Sequence, residues 1–368
     1  MQVIQLTTPK QLKKFVNMPD KLYEGDPYFV PYMRGDLYKT LKHLVLEEKT
    51  YTALAVENDG KYVARLLFTV GASKQLQLDN CGYFSHFECI NDKECASMLL
   101  AEMCRLLKER GVTHVEGTYF PYDPDNRRGI LVEGFSYEPM ILTSYNPPYY
   151  GELLESFGFQ KDFDTVSYFI DYERFDEARV ASLVNKIFER YDLYVAPADF
   201  SNLERELDDV HAIIEQATSN IIFQEAPTRE ELSRIVENWK SFLWADFIHI
   251  CRRRSDKKPV GFMMSVPNFY TVFRKMNGKM TPLALLKAAH WRKKINSVRA
   301  ILQYVIPQYQ NCGVNFALYL EFYRACKRRG VTYSEGGTIM ENNEVSRRNV
   351  EKAAGKLNKI FRIYGRDL

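Results

Sequence analysis

The sequence predicts an α+β fold, in which helices pack on a mixed α/β sheet. It also predicts that the chain contains two tandem copies of this fold. The stretch KERGVTHVEG at 108–117 recurs as KRRGVTYSEG at 327–336, with seven of ten positions identical at an offset of 219 residues. An amphipathic helical pattern precedes each stretch and a strand-like run follows it. The 368 residues suffice for two ordinary domains. We therefore expect domains at 1–172 and 173–368, with the boundary in the polar segment Asp171–Asp176.

The elements of copy one follow from local signals. The turn Asn58-Asp59-Gly60 joins two alternating runs into a hairpin, and Cys95, Leu99 and Met103 repeat at helical spacing. In chain order, copy one is predicted to contain a helical lead over about Pro9–His43, strands Tyr51–Glu57, Tyr62–Val70 and Tyr83–Ile90, a helix over 93–110, a strand over 112–117, a helix within Tyr145–Phe159 and a strand Thr165–Ile170.

Copy two repeats this order after additional helices. In chain order, it is predicted to contain helices Ala178–Tyr191, Leu203–Thr218 and Thr228–Ala245, strands Phe247–Arg253 and Val260–Val266, an inserted segment Asn268–Asn296 with a short helix at 283–291, a strand Val298–Val305, the repeated helix and strand, a further helix and a last strand Ile360–Tyr364. The pattern of the inserted helix fits either a lid or partner-binding helix, or a helix that only packs against the fold.

Composition excludes several classes of protein. No apolar run approaches the roughly 18 residues of a membrane span, and the N-terminal stretch lacks the apolar block of a signal peptide. The seven cysteines are scattered and odd in number, and the six histidines form no HExxH pattern. These features predict a reduced, cytoplasmic protein without a metal site or a disulfide framework.

Charge is unevenly distributed along a chain of net charge +3. Thirteen Lys and Arg residues but a single acid, Asp256, lie between Ile248 and Leu320. This stretch reads equally as a solvated basic face or as a surface for a polyanion such as nucleotide phosphates, RNA or anionic lipid.

A candidate phosphate site lies where the strand Val298–Val305 leads through VIPQYQNCGVNFAL into a helix. A strand, a Gly-containing turn and a helix N-terminus expose backbone N–H groups at the positive end of the helix dipole. This stretch resembles the acyl-CoA-binding loop of the GNAT acyltransferase superfamily, usually Arg/Gln-x-x-Gly-x-Gly/Ala; Gln310 and Gly313 fit, whereas Asn315 departs from it. The resemblance implies cofactor binding by Gln310, Asn311, Cys312, Gly313, Val314 and Asn315, with Asn343 near the CoA arm or simply capping a helix.

The whole chain is similar to a group of bacterial tandem-GNAT proteins. The residues that carry this resemblance are Leu22-Tyr23, Asp26-Pro27-x-Phe29-Val30-Pro31, Gly134-Phe135, YNPPYY at 145–150 and Arg362-Ile363-Tyr364. It implies an acyl-CoA-dependent N-acyltransferase with acetyl-CoA or another acyl-CoA as co-substrate and a small-molecule amine as acceptor. Two alternatives stay open: a Fem-like aminoacyl-tRNA-dependent transferase, and an inactive GNAT-like protein that binds a ligand or partner.

The resemblance also implies that a general base and a general acid lie near the thioester. Glu335 and Glu341 are candidate general bases, although Glu335 also reads as a structural carboxylate because Glu116 occupies the same place in copy one. Val350 stands where many members carry the Tyr that protonates the thiolate, so Tyr304 and Tyr364 are the candidate acids.

Copy one is expected to lack the cofactor site. The 219-residue offset places Glu94 opposite Gly313, and a carboxylate there repels a diphosphate. Copy one would then serve substrate binding or scaffolding. The candidate residues of a substrate cleft are Asn146, Tyr149 and Tyr150. The alternative is structural: they form a helix start that is braced by prolines and stabilised by aromatic packing.

Overall fold

The computed structural model describes residues 1–73, 76–218, 227–240 and 242–368, and these form two compact units. The first unit consists of Met1–Thr165, Tyr270–Lys293 and Lys359–Leu368. The second unit consists of Val166–Phe269 and Lys294–Asn358. The expected repeat boundary near residue 172 stays a prediction about where the copies meet.

The strands match the predicted hairpins and repeat strands, with several additions. They are β1 (Gln2–Gln5), β2 (Tyr51–Asn58), β3 (Lys61–Ser73), β4 (Leu78–Cys89), β5 (His114–Gly117), β6 (Ile130–Glu133), β7 (Gln160–Ile170), β8 (Leu193–Pro197), β9 (Ile248–Arg253), β10 (Pro259–Pro267), β11 (Ser297–Val305), β12 (Tyr333–Met340) and β13 (Gly355–Asp367). Sequence reading missed β1, β6 and β8, which are four or five residues long and too short for a clear alternation pattern.

The helices also follow the predicted order. They are α1 (Pro9–Leu22), α2 (Arg34–Leu41), α3 (Lys93–Glu109), α4 (Tyr150–Ser156), α5 (Glu177–Tyr191), α6 (Leu203–Thr218), α7 (Arg229–Trp239), α8 (Tyr270–Met276), α9 (Pro282–Arg292), α10 (Val314–Arg329) and α11 (Glu344–Lys352). The predicted helix Thr228–Ala245 ends earlier, at Trp239, and its residue Ser241 lies outside the described residues. The mixed α/β expectation is confirmed.

The first unit contains a mixed sheet. Strands β1, β2, β3 and β4 pair antiparallel in that order, β4 pairs parallel with β5, and β13 pairs antiparallel with both β5 and β6. Helix α3 places Cys95, Leu99, Met103 and Leu107 into the core, where each side chain is fully buried. The three-to-four spacing of these residues is the reason that one face of α3 covers the sheet.

The second unit repeats the arrangement with its own core. Strands β8, β9, β10 and β11 pair antiparallel, and β11 pairs parallel with β12. Helix α10 buries Val314, Leu318 and Phe322 at four-residue spacing against this sheet. The parallel pair β11–β12, with α10 as its crossover, therefore positions the candidate phosphate loop.

The segment inserted between β10 and β11 belongs to the first unit. The Arg127 guanidinium lies 3.9 Å from the Tyr32 ring centre and 5.2 Å from that of Tyr270, and its Nε donates to the Tyr270 hydroxyl at 3.1 Å. Arg274 forms a 2.6 Å ion pair with Glu138. Helix α8 is thus anchored by contacts whose partners lie more than a hundred residues away along the chain.

Candidate functional site

The parallel pair of the second unit separates before β11 ends. Registered pairing joins Ser297–Ala300 to Tyr333–Gly336. The register between β10 and β11 then shifts, which leaves Ile301 as an additional residue in β11. A bulge of this kind turns backbone groups out of the ladder. Because residues 301–304 are only half-buried, the separated strand end offers main-chain groups to a ligand lying beside it.

The loop after β11 leaves helix amides without protein acceptors. The N–H groups of Gln310 and Cys312 donate to carbonyls within the turn. Within the described chain, the N–H groups of Val314 and Asn315 meet no protein acceptor. The first turn of α10 carries no acidic residue, and the N-cap Gly313 has no side chain to fill the position. The positive helix end is therefore open to an anion.

Gly313 is the residue that this geometry requires. Its φ of 83° lies in the left-handed region, where residues with a Cβ are strained. A Cβ added at Gly313 would overlap the Cδ1 atom of Ile187 on α5. The turn therefore depends on glycine for both its backbone angle and its fit against α5.

The remaining predicted loop residues have distinct surroundings. The Gln310 side chain donates from Nε2 to the Val305 carbonyl at 3.1 Å and so braces the turn. Asn311 is exposed with a φ of 65°, and Cys312 is half-buried. The Asn315 Oδ1 atom accepts from the Gln303 Nε2 at 2.9 Å, which ties the first turn of α10 to β11.

Gln303 was missed by sequence reading. Its carboxamide reaches both Asn315 and Tyr319, and burial raises the Tyr319 pKa to about 12. The sequence offered only a weak signal for this residue, a polar side chain between Leu302 and Tyr304 near the end of the strand.

The two candidate general bases differ in exposure. Glu335 is fully buried, and its Oε2 accepts from the Tyr333 hydroxyl at 3.0 Å and from the Asn358 amide at 2.9 Å. Glu341 directly follows β12 and is half-buried, and its carbonyl accepts from Arg347 at 2.8 Å. Only Glu341 has direct access to solvent.

The other three candidates of copy two are distributed between the units. Tyr304 is half-buried on β11, opposite Phe262. The Asn343 side chain accepts from the Ser346 N–H at 3.1 Å and caps α11. Tyr364 belongs to the first unit, where it is fully buried and donates to Glu155 at 2.9 Å. Burial, followed by the Glu155 carboxylate, raises the pKa of Tyr364.

The corresponding turn of the first unit is occupied by its own side chains. Asp92 caps α3 by accepting from the Cys95 N–H at 3.0 Å, and Glu94 lies in the first helical turn. The Tyr149 hydroxyl donates to the Cys89 carbonyl at 2.9 Å, and the Cys89 N–H donates to the Tyr150 hydroxyl at 3.0 Å. The main chain at the end of β4 is therefore already bonded to two tyrosine hydroxyls, and the Asp92 carboxylate occupies the helix end.

Tyr150 also joins a buried polar cluster in the first unit. Its hydroxyl donates to Glu88 Oε2 at 2.8 Å, and the Tyr23 hydroxyl donates to the same atom at 2.9 Å. Arg65, 1% exposed, lies 3.6 Å from the other carboxylate oxygen and also donates to the Phe15 carbonyl. Burial raises the Glu88 pKa, an effect that Arg65 opposes.

Two motifs of the resemblance, YNPPYY and the segment that begins at Asp26, meet beside this cluster. Asp26 Oδ1 accepts from the Tyr28 N–H at 2.8 Å, and its Oδ2 accepts from the Tyr145 hydroxyl at 2.7 Å. Asn146 exchanges hydrogen bonds of 2.7 and 3.1 Å with the Leu131 main chain. Asn146 and Tyr150 are both buried, and their assignment to a substrate cleft stays a prediction.

Glu116, the copy-one counterpart of Glu335, makes the first unit sensitive to pH. It is 7% exposed, and burial, followed by the nearby carboxylate of Asp162, raises its pKa to about 8. A carboxyl with a raised folded-state pKa stabilises the fold below its unfolded pKa of about 4.3, and this stabilisation is lost as the pH rises toward 8.

We expect Glu116→Gln to be more stable than the wild type at pH 8, by on the order of 2 kcal/mol, and to match it near pH 5. The neutral amide removes the cost of ionising a buried carboxyl and donates to Asp162. Urea unfolding at the two pH values measures the difference. An equal effect of the substitution at both pH values would show that Glu116 titrates normally.

Comparisons with known proteins agree with this architecture. No protein-family model matches the chain. The chain is 21% identical over 370 residues to Protein YghO of Escherichia coli (strain K12), covering 97% of this chain and 93% of that protein. It is 23% identical over 382 residues to a bacterial ceramide synthase of Caulobacter vibrioides (strain NA1000 / CB15N), covering 100% and 98%.

A solved structure is similar over its full length as well. The tandem GNAT protein from the clavulanic acid biosynthesis pathway aligns with a TM-score of 0.55 at 9% identity, covering 100% of this chain and 98% of that chain. The chain therefore has a tandem GNAT fold, as the resemblance predicted. No helix among the described residues is long and apolar enough to cross a membrane.

Proposed function

We propose that this chain, which has the tandem GNAT fold, is an acyl-CoA-dependent N-acyltransferase whose second unit binds the cofactor. The observation that carries the proposal is the open end of α10, where Gly313 replaces a capping side chain and two amides have no acceptor in the described chain. Backbone N–H groups at a helix N-terminus suit a diphosphate. The separated end of β11 suits the amide-bearing arm of the same substrate.

The reaction follows from this placement. The acceptor amine attacks the thioester carbonyl carbon, its N–H proton passes to a base, and the carbon–sulfur bond breaks as the thiolate takes a proton. A backbone N–H at the bulge of β11 would stabilise the charge that develops on the carbonyl oxygen. Glu341 is the proposed base because it is accessible, whereas Glu335 would act only through the Tyr333 hydroxyl. Tyr304 is the proposed acid.

The acceptor class is proposed as an amine carried by an amphiphile. The support is the full-length similarity to a protein named a ceramide synthase, because a ceramide carries an acyl chain in amide linkage to a long-chain amine. This class is narrower than the small-molecule amine that the sequence predicts, and it favours long acyl-CoA over acetyl-CoA as donor.

Thermal unfolding with CoA, acetyl-CoA and long-chain acyl-CoA tests the proposal. A ligand at a hundred times its Kd adds about 2.7 kcal/mol to the stability of the state that binds it, so we expect a rise in Tm of several degrees. The largest rise is expected with long-chain acyl-CoA at equal concentration. Inorganic pyrophosphate is the control for the diphosphate of the ligand, and a free acyl chain is the control for its acyl group.

The absence of any response to CoA compounds would contradict the proposal. Binding of aminoacyl-tRNA in place of CoA would then favour the Fem-like alternative. A response to neither would favour a ligand-binding or partner-binding protein without transferase activity.

A further inference from the structure

The segment between β10 and β11 exposes a cluster of apolar side chains. Met280, Leu283, Leu285 and Leu286 are 55, 64, 48 and 69% exposed. Of the large apolar residues that are exposed in the described part of the chain, these four alone lie within one seven-residue stretch. Exposed apolar side chains grouped in this way are typical of an interaction site. We call these four residues the apolar ridge.

Helical geometry directs the ridge away from the body of the first unit. With 3.6 residues per turn, Ala284 and Trp291 share one side of α9, and they are buried and half-buried respectively. Leu286 lies on the opposite side, and Leu283 and Leu285 lie on the two flanks, each about 100° around the helix from Ala284. The buried side fixes the helix, so the leucines of the ridge face outward.

A rim of cations surrounds the ridge. The exposed Lys and Arg residues of the part that belongs to the first unit, Tyr270–Lys293, are Lys275, Lys279, Lys287, Arg292 and Lys293. No acid occurs anywhere between residues 257 and 320. The Lys275 ammonium lies 5.0 Å from the centre of the Trp291 ring, and no described carboxylate lies within ion-pair distance of Lys279, Lys287 or Lys293.

The structure holds this surface in place. Helix α8, which precedes the ridge, is anchored by the Arg274–Glu138 ion pair and by buried Tyr270 and Met276. The turn after α8 is fixed as well, because the Gly278 carbonyl accepts from the Arg34 N–H at 3.0 Å. The ridge and its rim are therefore presented on an ordered support within the first unit.

We propose that the apolar ridge and its basic rim dock on the surface of an anionic lipid bilayer. Outward leucines insert at the boundary between headgroups and acyl chains, and the flanking cations pair with lipid phosphates. An RNA partner fits less well, because it offers no apolar surface to three leucines and the Trp291 indole of α9 already carries Lys275. The proposal goes beyond the transferase assignment and depends on surface chemistry alone.

Co-sedimentation of the full chain with vesicles tests this proposal. We expect binding to vesicles of phosphatidylcholine and phosphatidylglycerol, weaker binding at high salt, and little binding to pure phosphatidylcholine. The double variants Leu283→Glu/Leu286→Glu and Lys279→Glu/Lys287→Glu should each bind at least roughly tenfold more weakly. Leu183→Glu is the matched control, since Leu183 is 45% exposed on α5, outside the ridge; it should bind as the wild type does.

The outcomes that overturn the proposal are distinct from those that bear on the transferase. The docking surface would be excluded if the wild-type chain did not bind phosphatidylglycerol vesicles. It would also be excluded if the double variants bound these vesicles as tightly as the wild type. Salt-sensitive binding of tRNA without vesicle binding would reassign the rim to nucleic acid. Thermal stability without ligand checks that the variants fold, and an unchanged response to CoA compounds in the double variants keeps the two proposals separate.

Discussion

Substitution of Gly313 by Asp is expected to reduce CoA affinity by at least a hundredfold. The carboxylate would occupy the helix end that we assign to the diphosphate, as Asp92 does at α3, and would repel it. The substitution also strains a φ of 83° and displaces Ile187, which costs on the order of 2 kcal/mol of stability. Calorimetric titration with CoA measures the affinity.

Gly330→Asp is the matched control for this experiment. Gly330 ends the same helix with a φ of 66°, and a Cβ added there meets no atom within 4 Å. It should lose comparable backbone stability yet keep CoA affinity within about twofold, because it lies at the opposite helix end. If Gly313→Asp melts early, adding Ile187→Ala makes room for the new side chain. Normal CoA binding by a folded Gly313→Asp chain would refute the cofactor site.

Substitution of Arg65 by Met is expected to destabilise the first unit by about 3–5 kcal/mol. Arg65 is 1% exposed and lies 3.6 Å from the Glu88 carboxylate, whose side chain is 14% exposed. Its removal leaves that largely buried charge with the Tyr23 and Tyr150 hydroxyls as its donors. Denaturant unfolding at pH 8 measures the loss.

The loss of stability caused by Arg65→Met should be smaller at pH 5 than at pH 8. The Glu88 pKa is already raised by burial, and loss of Arg65 raises it further, so a neutral carboxyl lowers the cost as the pH falls. Arg105→Met is the control, because the Arg105–Glu102 pair is exposed and removing it should cost about 1 kcal/mol or less. Equal costs for the two substitutions would mean that the buried pair contributes no more than a surface pair.

Sequence reading found the elements whose signals are local. The repeated helix–strand stretch, the hairpins and the strand–turn–helix around Gly313 depend on periodicity and turn chemistry over fewer than twenty residues. Those predictions gave α3, α10 and the strands β4, β5, β11 and β12 close to their observed bounds. The roles of Glu335, Glu341, Tyr304 and Tyr364 could not be ranked this way, since a strand position does not tell how deeply a side chain is buried.

The contacts that sequence reading could not supply join residues far apart in the chain. Tyr150 reaches Glu88 across 62 positions, Tyr145 reaches Asp26 across 119, and Arg127 reaches Tyr270 across 143. A motif such as YNPPYY indicates tyrosines with specific contacts, but the sequence does not predict which residue each hydroxyl bonds to. Only packing revealed that Tyr149 and Tyr150 occupy the strand end that stays open in the second unit.

By itself, the sequence determined that this protein repeats one α/β unit and that the glycine turn from which we predict a phosphate site belongs to the second copy. The tertiary structure decided the rest: that Tyr270–Lys293 and Lys359–Leu368 join the first unit, and that leucines of α9 face outward among cations. The physical reason is that local patterns fix backbone conformation, whereas burial and pairing depend on which distant surfaces exclude water together.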